Sequence, residues 1–419
     1  MEVDPTRKRG ALSTEDGDAI TAAVDTACAE RIPLVASLAS SGADVREGVE
    51  ALHGWGRAAR ALTRASGVVP LLAMVNGPAV SGPALLLGLA DHVVFTRQAQ
   101  AFVSGPRMVR QFTGQVLSAD ELGGAAIHAR ATGVAVAVVD TADEAMQFLA
   151  DLLAFLPDSV DHDPPMQPST DPADRLTPEA GAVLPSAPTG SYDVRHIITA
   201  LVDDGHLLEL RARWAGNLIT GLASIGGRTV GLVANQPMTI AGTLDIPSSQ
   251  KGARFVAFCD AFNIPLVTLV DTPGFYPGKD LEWRGMIRHG AQLAFAYARA
   301  TVPRVCVTLR KSYGGAFIVM DSKTMGNDLA LAWPSGEVAV MGAKGAVQIL
   351  HRRADPESWP ALEAAYEERL LNPYVAAERG LVDIVIDPAH TRRELAAALD
   401  MLSTKREHLV RRSHDNSPL

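Results

Sequence analysis

Two pairs of small residues follow apolar, strand-like runs in this chain. Ser81-Gly82 precedes PALLLGLA, and Gly314-Gly315 precedes AFIVM. If each following run is a helix, the pair lies at its amino terminus, where backbone N–H groups lack partners and favour negative charge. Two such donors aimed at one point form an oxyanion hole. The alternative is that the glycines only permit tight packing of a strand against a helix.

Side-chain catalysts and metal ligands are not grouped in the sequence. The eleven histidines are scattered without a His-x-x-x-His pair, which predicts that the chain holds no metal. There is no Gly-x-Ser-x-Gly elbow, LASIGGRTVG lacks the lysine of a phosphate-binding loop, and Cys306 lies in an apolar run typical of a core strand. The sequence therefore favours chemistry in which backbone groups stabilise an anion and the substrates supply the base.

The chain repeats itself, and the repeat defines the elements around both pairs. IPLVASLASSG (32–42) matches IPLVTLVDTPG (264–274), and VPLLAMVNGPAVSGP (69–83) matches VPRVCVTLRKSYGGA (302–316). Each segment is typical of a buried parallel strand closed by small residues. Helical stretches separate the strands, which predicts two copies of one α/β lobe with parallel strands and right-handed crossovers. Because the small-residue pair occurs twice at matched positions, the duplication favours the catalytic interpretation.

The repeat predicts an amino-terminal lobe (1–156), a linker (157–193) and a carboxy-terminal lobe (194–419). The linker is rich in proline, aspartate and serine, so we expect it to be extended and to run along the protein surface. In the second lobe, two apolar strands joined by a Gly-Gly turn precede Gly242, whereas only nine residues precede Gly10. We therefore expect the first lobe to lack this opening hairpin.

Composition limits the class of protein. The chain has 419 residues, is 47% hydrophobic and carries a formal net charge of −9, which argues against general nucleic-acid binding. Three separated cysteines without a Cys-x-x-Cys pair favour reduced thiols in the cytoplasm. No apolar stretch follows the charged start MEVDPTRKRG, and prolines and glycines interrupt the most apolar window (68–90). Neither a signal peptide nor a membrane span is predicted.

The second lobe resembles a known family. The resemblance is carried by AGNLITGLASIGGRTVGLVANQPMTIAGTLDIPSSQKGARFVAFCDAFNIPLVTLVDTPGFYPG, RKSYGGAFIVMDSKTMGNDLALAWPSGEVAVMGAKGAV and NPYVAAERGLVDIVIDP. These segments are similar to the carboxyltransferase (β) subunits of biotin-dependent acyl-CoA carboxylases, such as propionyl-CoA carboxylase. The resemblance covers 194–419 and continues more weakly over 10–155. It implies an α/β fold of two tandem crotonase-like (ClpP/crotonase) ββα-superhelix lobes.

The resemblance also implies a reaction. In that family, carboxybiotin loses CO2, the resulting biotin enolate takes the α-proton of an acyl-CoA thioester, and the substrate enolate captures the CO2. One oxyanion hole holds each enolate. Carried over by position, Gly315 and Ala316 would face biotin with Gly314 beside them, and Ser81 and Gly82 would face the thioester.

Three more positions and the partners carry over from the family. Gly274 and Phe275 would contact biotin. Ile318 would face the acyl group; relatives that prefer propionyl-CoA commonly have aspartate there, so isoleucine implies an apolar wall and a broader acyl range. The chain has no Ala-Met-Lys-Met biotinylation sequence and no ATP-binding signature. The resemblance therefore implies a separate biotin carboxylase/biotin-carrier α subunit, together with a homo-hexamer or assembly with another β chain.

The departures from the family pattern lie in the first lobe, on the acyl-CoA side. Relatives have Ser-Gly-Gly-Ala-Arg where this chain has Ser-Ser-Gly-Ala-Asp44, Ser81 replaces a glycine, and Pro83 supplies no N–H. Three functions stay open. They are an acyl-CoA carboxyltransferase, a decarboxylase or carboxyltransferase for an unusual malonyl-type or carrier-bound thioester, and a non-catalytic scaffold subunit of a carboxylase complex.

Overall fold

The structure is a computed structural model that describes residues 1–3, 6, 8–187, 189–405 and 407–418. The chain divides into two compact units. Unit one comprises Met1–Pro165, Leu210–Trp214 and Ala261–Asn263. Unit two comprises Met166–Glu209, Ala215–Asp260 and Ile264–Leu419.

Unit one is built on a five-stranded parallel sheet. Its strands are β1 (Leu34–Ser40), β2 (Leu71–Val80), β3 (His92–Thr96), β4 (Gln100–Phe102) and β5 (Ala135–Val139). Their order is β1-β2-β3-β5, with β4 paired to the end of β2. β3 is buried along its whole length, because helices cover both faces of a parallel sheet of this kind.

The α-helices assigned in unit one precede, connect or follow these strands. They are α1 (Thr14–Glu30), α2 (Val49–Ala65), α3 (Gly82–Leu86), α4 (Pro106–Thr113), α5 (Ala119–Gly123), α6 (Ala125–Ile127) and α7 (Ala142–Leu153). α1 begins with a capping box in which Ser13 Oγ accepts from the Asp16 N–H and the Asp16 carboxylate accepts from the Ser13 N–H. α1 and α2 cross where Gly17 faces Gly54, since a side chain on Gly17 would collide with the Gly54 backbone.

Unit two is built on an eight-stranded sheet. Its strands are β6 (Leu208–Glu209), β7 (Leu218–Ile225), β8 (Arg228–Asn235), β9 (Leu266–Thr272), β10 (Arg304–Tyr313), β11 (Leu329–Ala332), β12 (Glu337–Ala339) and β13 (Ile384–Val385). The order is β13-β11-β10-β9-β8-β7-β6, with β12 paired to β10. β7 and β8 form an antiparallel hairpin that turns at Gly226 and Gly227, both at positive φ as its two-residue turn requires.

Ten helices are assigned from residue 166 onward among the described residues. They are α8 (Pro178–Ala182), α9 (Val194–Leu201), α10 (Ile246–Ala261), α11 (Lys279–Trp283), α12 (Met286–Arg299), α13 (Gly314–Val319), α14 (Ala343–Leu350), α15 (Trp359–Leu370), α16 (Pro373–Glu378) and α17 (Thr391–Met401). Across the described ranges of the chain, no helix combines the length and the apolar character needed to cross a membrane.

The internal repeat is visible in the strand pairing and in matched hydrogen bonds. β1 to β5 pair with one another as β9 to β13 do, and β1–β2 and β9–β10 each contain one break in register. In unit one the Leu12 N–H donates to the Gly42 carbonyl at 2.8 Å. In unit two the Leu244 N–H donates to the Gly274 carbonyl at 3.0 Å. The two units therefore have the same backbone arrangement, including the loops that follow β1 and β9.

Residues 1–3 occupy the place in unit one that the end of the hairpin strand β8 occupies in unit two. The Ser37 N–H donates to the Met1 carbonyl at 2.9 Å, and the Val3 N–H donates to the Ser37 carbonyl at 3.0 Å. In unit two the matched pairing joins Ala234 of β8 to Leu269 of β9. The outer edge of β1 is thus paired with residues 1–3.

Much of the sequence predicted to be a linker is bound to unit two. The Gln167 N–H donates to the Gly227 carbonyl at 2.7 Å, and the Thr177 N–H donates to the Ala389 carbonyl at 2.8 Å. This part of the predicted linker is therefore held to unit two by backbone hydrogen bonds at residues 167 and 177.

Candidate functional site

The carboxyl end of β10 leads directly into Gly314, Gly315 and α13. Tyr313 occupies the N-cap position of α13 in an extended conformation without a side-chain capping hydrogen bond, and Gly314 follows at φ +59°. Glycine adopts this left-handed region without the steric penalty of a Cβ. A Cβ on Gly314 would also lie 3.2 Å from the Val340 carbonyl oxygen. The turn therefore favours glycine at 314 for conformational and steric reasons together.

The N–H groups of Gly315 and Ala316 are unpaired. As the second and third residues of α13, they have no acceptor within the helix. Within the described ranges, no backbone or side-chain group elsewhere accepts a hydrogen bond from either N–H. Gly315 is exposed whereas Ala316 is buried. Two adjacent free N–H groups are the donors that an oxyanion hole requires.

Phe275 lies against the same turn. Its ring comes within 3.4 Å of the place that a Cβ on Gly315 would take, and within 3.3 Å of the corresponding place on Gly290 of α12. A parallel bridge to Leu244 holds the Phe275 backbone. Gly274, at φ +140°, has open space where a Cβ would point. The structure thus brings the predicted residues Gly274, Phe275 and Gly315 together.

Ile318 lies three residues after Gly315 on α13, which places both on one face of the helix. The residue is 37% exposed, which is high for a large apolar side chain. Ile318 therefore gives the exposed turn an apolar neighbour.

The turn of Ser81 and Gly82 in unit one offers fewer donors. The Ser81 N–H already donates to the Phe102 carbonyl at 3.0 Å, where β4 pairs with β2, and Pro83 has no N–H. The Gly82 N–H is the remaining free donor of this turn among the described residues. Of the two predicted donors, the structure therefore leaves the Gly82 N–H free and places the Ser81 N–H in the pairing of β4 with β2.

Trp55 of α2 covers Gly82. Its Cε2 and Nε1 atoms lie 2.8 and 2.9 Å from the place that a Cβ on Gly82 would take, so any side chain at 82 would displace the indole. Trp55 Nε1 is buried and finds no acceptor in the part of the chain that the structure describes. Nothing in the local sequence pattern indicates this contact between two helices.

Two cations neutralise Asp44, an acidic residue of the loop after β1. Its carboxylate is 3% exposed, accepts from Arg46 Nη2 at 2.7 Å and from Lys8 Nζ at 3.0 Å. Hydrogen bonds from Arg46 and then Lys8 hold the pKa of Asp44 well below its usual range. A Cβ on the preceding Gly42 would lie 3.5 Å from Ser81 Cβ. Asp44 therefore places no unpaired negative charge beside the unit-one turn.

Neither thiol chemistry nor metal ligation is indicated by the arrangement of side chains. Cys306 is buried in β10, and burial raises the pKa of its thiol well above the usual value. In the described residues no three His, Cys, Asp or Glu side chains are grouped closely enough to hold a metal ion. The groups placed at the two turns are therefore backbone donors.

Ser81→Gly is expected to stabilise unit one. Ser81 has φ +64° and ψ −142°, a region that glycine populates and other residues enter at a cost of about 1–3 kcal/mol. Thermal unfolding of the wild type, Ser81→Gly and Ser81→Ala measures the gain. Ser81→Ala keeps the Cβ and should show no comparable gain, so an equal gain in both variants would contradict the strain explanation.

Comparisons with known proteins give the same picture over nearly the whole chain. The carboxyl transferase domain family matches residues 1–417. The propionyl-CoA carboxylase beta chain of Roseobacter denitrificans is 44% identical over 413 residues, covering 98% of this chain and 81% of the relative. That of Saccharopolyspora erythraea is 44% identical over 429 residues, covering 98% and 79%.

A solved structure matches as closely. A crystal structure of transcarboxylase 12S, described as a hexamer assembly with hydrolyzed methylmalonyl-coenzyme A bound, has a TM-score of 0.97 and 40% identity. The match covers 99% of this chain and 81% of that one. The crotonase-like α/β fold implied by the sequence resemblance is confirmed. The chain belongs to the carboxyl transferase domain family.

Proposed function

We propose that this chain is the carboxyltransferase subunit of a biotin-dependent acyl-CoA carboxylase. It transfers a carboxyl group from carboxybiotin to the α-carbon of a short acyl-CoA thioester, such as acetyl-CoA or propionyl-CoA. The main observation in support of the proposal is the pair of free N–H groups of Gly315 and Ala316, which lie at the carboxyl end of the parallel strand β10. A matched turn in unit one presents Gly82.

The unit-two turn fits a flat, uncharged ring that carries a carbonyl oxygen. Phe275 provides an apolar surface beside Gly315, and the space at Gly274 is open. The N–H groups of Gly315 and Ala316 would donate to the oxygen and stabilise negative charge there, each contributing about 10²–10³ in rate. Biotin, when bound, supplies the carboxyl group and the base. Because biotin would supply the base, the turn itself would need to provide only hydrogen-bond donors.

The unit-one turn would hold the thioester. The Gly82 N–H would donate to its carbonyl oxygen and favour the enolate form of the substrate. Because Ser81 N–H is already bonded, stabilisation of this enolate by the backbone would be weaker than at the unit-two turn. This single donor is also the observation that favours a second candidate function, a non-catalytic scaffold that has lost its acyl-CoA activity.

The partners follow from the same proposal. The biotin would be carried by a separate biotin carboxylase/biotin-carrier α subunit, because this chain has no biotinylation sequence. We propose a homo-oligomer, with the hexamer assembly of transcarboxylase 12S as its pattern, or assembly with another β chain. We place the activity in the cytoplasm, as the three separated cysteines predict.

The reverse reaction tests the proposal without an α subunit. Purified protein is mixed with malonyl-CoA or methylmalonyl-CoA, with and without free biotin, and the decarboxylated acyl-CoA is measured. Loss of the carboxyl group that depends on biotin is the expected result. Loss without biotin would favour a decarboxylase. Absence of both turnover and CoA binding would favour the scaffold.

Ile318→Asp is expected to narrow the acyl range. A carboxylate on the exposed face of α13 replaces an apolar wall, so longer acyl chains lose a favourable contact. We expect the ratio of kcat/KM for longer to shorter acyl groups to fall by about tenfold or more. Ile318→Val, which stays apolar, is the matched control. An unchanged ratio in Ile318→Asp would exclude contact with the acyl chain.

A further inference from the structure

A buried charged network lies at the base of the unit-two turn. The Asp271 carboxylate is 1% exposed and accepts from the Tyr192 hydroxyl at 2.8 Å, from Arg310 Nε at 3.0 Å and from the Lys311 N–H at 3.2 Å. Arg310 is 8% exposed and also donates from Nη1 to the Gly190 carbonyl at 2.8 Å. Both members of this buried ion pair therefore have additional hydrogen-bond partners.

The network ties together the ends of the two strands that deliver the site. Asp271 is the penultimate residue of β9, which continues into Gly274 and Phe275. β10, which contains Arg310, continues into Gly314 and Gly315.

The pairing of β9 with β10 breaks register between Thr308 and Ser312. At this break the Asp271 side chain, rather than a β9 backbone carbonyl, accepts the Lys311 N–H. A side chain thus bridges the two strands where their backbone pairing is interrupted.

The linking segment takes part in the same network. Tyr192 and Gly190 lie in the predicted linker 157–193 and contribute a donor and an acceptor. The Arg310 guanidinium carbon also lies 5.3 Å from the centroid of the Tyr192 ring. A segment that the sequence presents as a spacer is therefore anchored beneath the turn.

Unit one makes the matched turn without this pair. The residues at the corresponding positions are Ala39 and Gly77, and a Cβ on Gly77 would lie 3.3 Å from Ala39 Cβ. The two positions are thus neighbours in both units, but only unit two has charges there. The ion pair is therefore dispensable for forming the strand ends, and it occurs in the unit whose turn has two free donors.

We propose that Asp271, Arg310 and Tyr192 are positioning residues for the unit-two turn. They hold the ends of β9 and β10 so that Phe275 and the N–H groups beginning at Gly315 keep their relative places. The identity of the bound group rests on the proposed function. The positioning role itself concerns the backbone of the turn and is measurable whether or not that function holds.

The test compares Asp271→Asn and Tyr192→Phe with a control that breaks another buried ion pair. Asp203 accepts from Arg392 Nη2 at 2.6 Å in the same unit, at the β7–β8 hairpin, where it also accepts from the N–H groups of Gly226 and Gly227. Asp203→Asn therefore controls for the general cost of removing the nearest carboxylate from a buried arginine, while Asp171 stays 3.5 Å from Arg392 Nη2.

Two measurements are made on each full-length variant. Hydrogen exchange followed by mass spectrometry reports on peptides that span 272–277 and 311–317. Kinetics of biotin-stimulated decarboxylation report kcat and the KM values for biotin and for the acyl-CoA separately.

Asp271→Asn is expected to accelerate exchange in both peptides and to lower kcat by roughly tenfold to a hundredfold, the order of effect known for a displacement of about 1 Å. The KM for the acyl-CoA should stay unchanged. Tyr192→Phe should change the same two peptides to a smaller extent. Asp203→Asn should lower the melting temperature and leave both peptides and kcat unchanged.

The inference is overturned if a folded Asp271→Asn protein has the hydrogen-exchange rates and the kcat of the wild type. It is also overturned if Asp203→Asn accelerates exchange in the same two peptides and lowers kcat to the same extent as Asp271→Asn. If Asp271→Asn does not fold, the test rests on Tyr192→Phe. Unchanged hydrogen exchange of the peptides 272–277 and 311–317 in that variant then overturns the inference. If the wild type shows no turnover, the proposed function fails while the exchange data still decide the positioning role.

Discussion

Ala316→Pro is expected to lower the turnover of biotin-stimulated decarboxylation by about 10²–10³-fold, the effect of losing one oxyanion donor. Proline removes the N–H of residue 316 and leaves the other donor in place. Unit two should stay folded, because the matched residue in unit one is already a proline, Pro83, in the first turn of α3. The preceding Gly315 also relieves the restriction that proline imposes on the residue before it.

Ala316→Gly is the matched control, since it alters the side chain and keeps the N–H. We expect its turnover to remain close to that of the wild type. Steady-state kinetics and thermal unfolding are measured on both variants. Normal turnover in a folded Ala316→Pro protein would show that the backbone of residue 316 does not take part in the reaction.

Gly242→Ala is expected to destabilise unit two by about 2–5 kcal/mol, combining the left-handed backbone penalty with steric overpacking. Gly242 has φ +72°, and a Cβ there would lie 2.5 Å from the Asp271 carbonyl oxygen. That carbonyl belongs to β9 and cannot move without disturbing the strand. Gly10 in unit one faces the Ala39 carbonyl in the same way, so a side chain is sterically excluded at this position in both units.

Urea unfolding of the wild type and of Gly242→Ala measures this effect. Gly278→Ala is the control, because Gly278 has an extended φ of 174° and open space at its Cβ position. We expect the unfolding midpoint to fall in Gly242→Ala and to stay unchanged in Gly278→Ala. Equal midpoints for Gly242→Ala and the wild type would mean that the loop before α10 relaxes freely.

The sequence by itself determined the repeated strands and the position of the two turns. An apolar run that begins at Val-Pro and ends in small residues is a local pattern, and the segments that contain β2 and β10 both have it. The family resemblance added the fold, and the comparisons confirm it. Gly314 and Gly315 were recognisable from sequence as a pair of small residues before an apolar run, whereas the positive φ of Gly314 is known only from the fold.

Only the tertiary structure decided which donors of the turns are free. The Ser81 N–H is bonded because β4 pairs with the end of β2, and such pairing depends on chain segments about twenty residues apart. Trp55 reaches Gly82 from a neighbouring helix, and Asp44 is neutralised by Lys8 from outside its own loop. No local pattern encodes contacts of this kind.

The network of Asp271 shows the same division most clearly. An aspartate and an arginine within apolar strands indicate from sequence that each needs a partner, since an unpaired buried charge is costly. Their pairing with each other and with Tyr192 requires two parallel strands and a distant segment to meet at one point. Local propensity therefore determines strands and glycine turns, whereas the partners of buried polar groups are determined by how separated segments pack.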